Sequence, residues 1–104
     1  MLPIEKQMAA VLKALAHPTR LGILTTLKDH EELCVCHIYE ELNLEQSNIS
    51  QHLKILRDQG VVESRREGTK IMYRVTDPQY ITLLSQLKDI IVTQMEETLA
   101  NWKG

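Results

Sequence analysis

Four amphipathic helical segments, a short basic hairpin and one long closing helix follow one another along 104 residues. That order predicts a winged helix-turn-helix, mainly α with a small β-hairpin, in a single domain over residues 1–104. Three observations carry the expectation. Apolar residues recur at helical spacing as far as Leu56. A glycine-centred turn then separates two runs of strand composition. Finally, a polar helix face stands directly ahead of that basic hairpin, the arrangement for major-groove reading with a clamp on the DNA backbone.

The first helix is set by Ile4, Met8, Val11, Leu12 and Leu15, which form one apolar stripe. His17-Pro18-Thr19 ends it, because Pro18 disfavours helix at His17 and suits the first turn of the next helix. The second helix is expected to bury Leu21, Leu24 and Leu27 and to fade at Asp29-His30. A third, short helix carries Ile38, Tyr39 and Leu42 and ends at Asn43. The fourth runs from Gln46 to Gln59 with Gly60 as its C-terminal stop, and turns Ile49, Leu53 and Leu56 to the core. Val61 to Arg66 and Ile71 to Val75 read as strands about Glu67-Gly68-Thr69-Lys70, where Gly68 supplies the turn. Asp77 caps the last helix with Pro78 at its first position. That helix runs to about Leu99 and carries Leu83, Leu84, Leu87, Ile90, Ile91 and Met95.

The net charge of −2 argues against a nonspecific nucleic-acid coat, but the charge is segregated. Arg65, Arg66, Lys70 and Arg74 crowd the hairpin against the single acid Glu67. From Asp29 to Glu45 there are six acids and no Lys or Arg, so basic charge is local. Ser47, Asn48, Ser50 and Gln51 can hydrogen-bond base edges and phosphates. With His52 and Lys54 on the same helix, and Arg65, Arg66 and Lys70 on the hairpin, they form the expected DNA-contact set. Arg20 reads instead as a packing or ion-pairing residue. No apolar run reaches the roughly 20 residues of a membrane span, and no signal peptide pattern is present, so a cytoplasmic protein with no membrane partner is expected.

Both cysteines lie in Leu33-Cys34-Val35-Cys36-His37, at the start of the third helix. One residue apart, they are no disulfide framework and read as reduced thiols fit for soft metals or redox chemistry. On a regular helix residues i and i+2 point about 200° apart, given roughly 3.6 residues per turn, so they cannot pinch one ion. In an extended segment they fall on the same side. A ligand held by Cys34 and Cys36 therefore needs a helix start that is already irregular, or must unwind it. Zinc or cadmium could add His37 or His30. The plain alternative is that both cysteines merely pack under the third helix.

Leu15-Ala16-His17-Pro18-Thr19-Arg20-Leu21-Gly22-Ile23-Leu24, Ser47 to Arg57, and Arg65-Arg66-Glu67-Gly68 with Tyr73 together resemble the ArsR/SmtB family over nearly the whole chain. Glu32-Leu33-Cys34-Val35-Cys36 is similar to the thiol box of its arsenic-sensing branch. The resemblance implies a homodimer built on the first and last helices, repressing an efflux or detoxification operon. It also implies operator DNA as partner and arsenite or antimonite, or else a soft divalent metal ion, as inducer. The departures are specific. Where the arsenic-sensing box carries Asp and a third cysteine, this chain has His37 and Tyr39. No cysteine precedes Cys34 and no histidine follows His52, which removes the ligands of the N-terminal-arm and last-helix metal sites. No nucleophile–base pair or phosphate-cradling glycine loop is visible, so no enzyme is expected. A winged-helix adaptor for a protein partner and a small thiol redox protein or metal carrier are the competing functions.

Overall fold

The computed structural model describes residues 2–103; residues 1 and 104, the ends of the expected domain, lie outside the described residues. Five helices and three strands follow in the order α1 (Pro3–Leu15), α2 (Pro18–Leu27), β1 (Leu33–Cys34), α3 (Val35–Leu42), α4 (Gln46–Asp58), β2 (Val62–Glu67), β3 (Lys70–Val75) and α5 (Gln79–Lys103). The helix-turn-helix is α3 and α4, and β2 with β3 forms the wing. β1 adds a strand to the expected hairpin, pairing antiparallel with β3 in a sheet of order β1-β3-β2.

Local chemistry explains the breaks. His17 accepts the Thr19 N–H on Nδ1 at 3.1 Å, capping α2 with Pro18 behind it. α3 ends where Asn43 adopts φ 53°, so that the Asn43 and Leu44 N–H groups reach back to the carbonyls of Glu40 and Tyr39. α4 ends the same way at Gly60, φ 75°, with Gly60 and Val61 donating to Arg57 and Leu56. Asp77 Oδ1 accepts from Gln79 N–H at 2.8 Å and starts α5.

Ile23, Leu24, Leu27, Ile38, Ile49, Leu53, Leu56, Val61 and Val62 are fully buried and bind α2, α3, α4 and the wing into one core. On α2 Leu24 and Leu27 are buried as expected and Ile23 joins them, whereas Leu21 is only half-buried, its flank turned toward α5. α5 rests on this core only through Tyr80, Ile81 and Leu84. Beyond them Leu87, Ile90, Ile91, Met95, Leu99 and Trp102 are exposed, as are Ile4, Met8 and Leu12 on α1. The radius of gyration, 16.2 Å, exceeds the roughly 13 Å of a compact chain this long because α5 projects.

Candidate nucleic-acid interface and thiol site

Because α4 buries Ile49, Leu53 and Leu56, its opposite face is left to solvent, and Ser47, Asn48, Ser50, Gln51 and Lys54 are all exposed. Lys54 is also held by Asp58 at 2.8 Å, which keeps the Asp58 carboxyl below its ordinary range. His52 departs from this group. It is half-buried, its Nδ1 lies 3.1 Å from an Arg20 guanidinium nitrogen, and its ring stands 4.4 Å from that of His17. Burial, then the neighbouring His17 and Arg20, pushes its pKa below the usual value. His52 is thus a link between α4 and the α1–α2 corner. Arg20 is the packing residue expected, also donating to the Ala14 and Lys13 carbonyls at the end of α1.

On the wing, a two-residue connection of Gly68 and Thr69 joins β2 to β3. Gly68 takes φ 62°, the positive angle that a tight hairpin asks of its first turn residue. Arg65, Arg66 and Lys70 are exposed. Arg65 is engaged: its Nε donates to Glu32 at 2.9 Å, a second nitrogen also meets Glu32, and Glu67 lies at 3.3 Å. This pairing holds the Glu32 carboxyl below its ordinary range and raises the Arg65 guanidinium. Arg74 pairs with Glu63. Among the described residues, Arg66 and Lys70 have no carboxylate partner.

The thiol site lies where β1 gives way to α3. Cys34 is the N-cap of α3 with φ −65° and ψ 146°, so the junction is extended before any ligand arrives. Its Sγ accepts the Cys36 N–H at 3.0 Å, capping the start of α3. The Cα atoms are 5.2 Å apart and the structure joins the two sulfurs in a disulfide. Of the two geometric possibilities, an irregular helix start or an unwound one, the first holds. Cys34 is 8% exposed and Cys36 half-buried. The exposed His37 does not complete a metal site: among the described residues no three His, Cys, Asp or Glu side chains come together.

Two features of the site were not foreseen. β1 puts Cys34 opposite Met72 on β3, and Met72 in turn stands opposite Arg65 on β2. Glu32, just ahead of β1, closes the same patch by holding Arg65. A thiol site and a wing cation therefore share one face of one sheet.

A profile described as bacterial regulatory protein, arsR family, matches residues 17–64. The arsenical resistance operon repressor of Staphylococcus xylosus is 36% identical over 88 residues, covering 85% of this chain and 83% of that protein. The chain belongs to the ArsR family. An uncharacterized HTH-type transcriptional regulator of Methanocaldococcus jannaschii is 38% identical, covering 79% of this ArsR-family chain and 92% of its own. Among solved structures, a homodimeric winged helix-turn-helix DNA-binding domain from Mycobacterium bovis, described as a possible ArsR-family transcriptional regulator, superposes with a TM-score of 0.81 at 32% identity. It covers 90% of this chain and 86% of that one. This ArsR-family protein is a transcriptional repressor, and its relatives are DNA-binding regulators rather than enzymes.

Proposed function

We propose that this repressor holds its operator as a homodimer and lets go when arsenite or antimonite binds Cys34 and Cys36. The observation that carries the reading is the extended junction: the sulfurs of the N-cap and of the first turn of α3 meet at the start of the helix that packs on α4, with no unwinding required. Once the pair is reduced, each thiol gives a proton to an arsenite hydroxyl. Two As–O bonds are replaced by two As–S bonds, two waters leave, and the third position keeps hydroxide or takes a small thiol. Bridged sulfurs constrain β1 and the first turn of α3. A coupling of about 1–3 kcal/mol between the sites would lower DNA affinity roughly 5- to 150-fold.

On the operator, Ser47, Asn48, Ser50 and Gln51 meet base edges while Lys54, Arg66 and Lys70 meet phosphates, joined by Arg65 when it leaves Glu32. His52 supports α4 from behind. The apolar faces of α1 and α5 are larger than a monomer leaves exposed, and the Mycobacterium bovis relative is a homodimer, which supports assembly through these helices. Cadmium or zinc with His37 is the lesser reading, since among the described residues no three His, Cys, Asp or Glu side chains come together.

The test is operator release on titration with arsenite, antimonite, cadmium and zinc under reducing conditions. Cys34→Ser and Cys36→Ser should bind the operator normally and ignore arsenite, because a neutral hydroxyl cannot replace a soft thiolate. Full arsenite response in the double variant would overturn the assignment. The disulfide favours one second reading, in which a peroxide oxidant takes two electrons and two protons from the pair and leaves as two waters. Release by peroxide, reversed by a thiol reductant and lost in either serine variant, would establish it.

A further inference from the structure

From the strand register we infer that Met72 is a third sulfur ligand, making Cys34, Cys36 and Met72 a site for a soft monovalent cation such as Cu(I). The inference rests on the thiol-sensor reading above and extends it to another ligand class. In the β1–β3 ladder Cys34 stands directly opposite Met72. Residues so paired project from the same face with Cβ atoms about 4.5–5.5 Å apart, a span that one metal ion with two metal–sulfur bonds can bridge. Cys36 is already in contact with Cys34 through sulfur. Cys34 is buried, Cys36 and Met72 half-buried, so the three sulfurs sit at the rim of the core with limited access to water. Two thiolates and a thioether form a donor set that selects Cu(I) over harder divalent ions. Arsenic(III), which bonds to thiolates, gains nothing from the thioether. Met72 has three rotatable side-chain bonds beyond its backbone and a polarizable sulfur, so it can swing to an ion without moving β3.

Once a thiol reductant has opened the disulfide, binding is ligand exchange without redox change: the two thiol protons pass to buffer, and Cu(I) gives up its chelator for two thiolate bonds and one thioether contact. The bound ion then ties β1 to the middle strand of the wing sheet, next to Arg65.

The experiment titrates reduced, oxygen-free protein with Cu(I) against a chromophoric Cu(I) chelator, and counts sulfur neighbours by copper-edge X-ray absorption. Wild type should show three sulfurs on copper. Met72→Leu keeps the size and apolar character of the side chain and should retain operator affinity and release by arsenite. It should lose at least about tenfold in Cu(I) affinity, since even removal of outer-shell partners typically costs 10- to 100-fold. Two sulfurs in wild type, or unchanged Cu(I) affinity in Met72→Leu, would overturn the role of Met72 while leaving the cysteine sensor standing. Cu(I) binding that survives Cys34→Ser with Cys36→Ser would overturn this site, and only arsenite response in that variant would overturn the reading beneath it. The absorption count on wild type decides the matter even if Met72→Leu folds poorly.

Discussion

Glu32→Gln should make this repressor bind DNA more tightly, and with a stronger dependence on salt. Glu32 holds Arg65 through two hydrogen bonds, with Glu67 at 3.3 Å as a weaker neighbour. A guanidinium in that grip is neutralised before it meets a phosphate. The glutamine keeps the shape of Glu32 but not its charge, so one cation per wing becomes available. Each phosphate contact adds about 0.9 to the slope of log K against log salt, so the two wings of a dimer add about 1.8. Over a fourfold change in salt this is roughly a tenfold change in affinity, so the gain over wild type at about 50 mM should exceed that at 200 mM by that factor. Fluorescence anisotropy on an operator duplex and on an unrelated duplex, from low to high KCl, measures both quantities. Since phosphates carry no sequence information, both duplexes should gain alike. Tighter binding with an unchanged slope would refute the argument, because it would mean that Arg65 already leaves Glu32 on DNA. A shallower slope would mean that the pair is needed to aim the wing.

Four other outcomes are expected. Leu53→Ala removes a fully buried side chain from α4 and should cost about 3–5 kcal/mol in urea unfolding at fixed protein concentration; a loss below about 1 kcal/mol would contradict the packing. Asn43→Val forces a β-branched residue into the left-handed conformation at the α3–α4 turn and should cost about 1–2 kcal/mol in the same assay, whereas Asn43→Gly should be nearly neutral. The folded state holds His52 below its ordinary 6.5, so unfolding takes up a proton there; the stability this represents is complete above pH 6.5 and declines as pH falls through the lowered value. Melting temperatures between pH 7.5 and 5 should accordingly drop less in His52→Gln than in wild type. Leu87→Glu with Ile91→Glu puts charge on the exposed face of α5 and should give monomers in sedimentation at micromolar concentration, an undisturbed dimer being evidence for another interface.

The sequence made the helices legible because each has its own local signals: the stripe through Ile49, Leu53 and Leu56, the stop at His17-Pro18, the cap at Asp77-Pro78. The wing was legible for the same reason, through Gly68 and the flanking strand composition. β1 was not. Two residues have no period, and their extended form comes from pairing with β3 almost forty positions later. With β1 hidden, so were its consequences: the extended Cys34, the row from Cys34 through Met72 to Arg65, and the grip of Glu32 on the wing. The contacts of His52 were hidden because its partners, Arg20 and His17, lie more than thirty residues away in sequence, while helical angle alone puts it near the polar face.

β1 is only two residues long and lies at the edge of its sheet, yet it carries the nearly buried Cys34. A strand this short has few ladder bonds to hold it and opens far more often than the core around Ile23 and Leu53. Attack on Cys34 from solvent waits for such an opening. On the sensor reading proposed above, the response time of the repressor becomes a property of β1, separable from affinity for the inducer. Substitutions that loosen the β1–β3 ladder would speed sensing without touching a sulfur, and slow amide exchange at Leu33 and Cys34 would mark a sluggish sensor. On that reading the weakest strand of the fold sets the tempo of the signal.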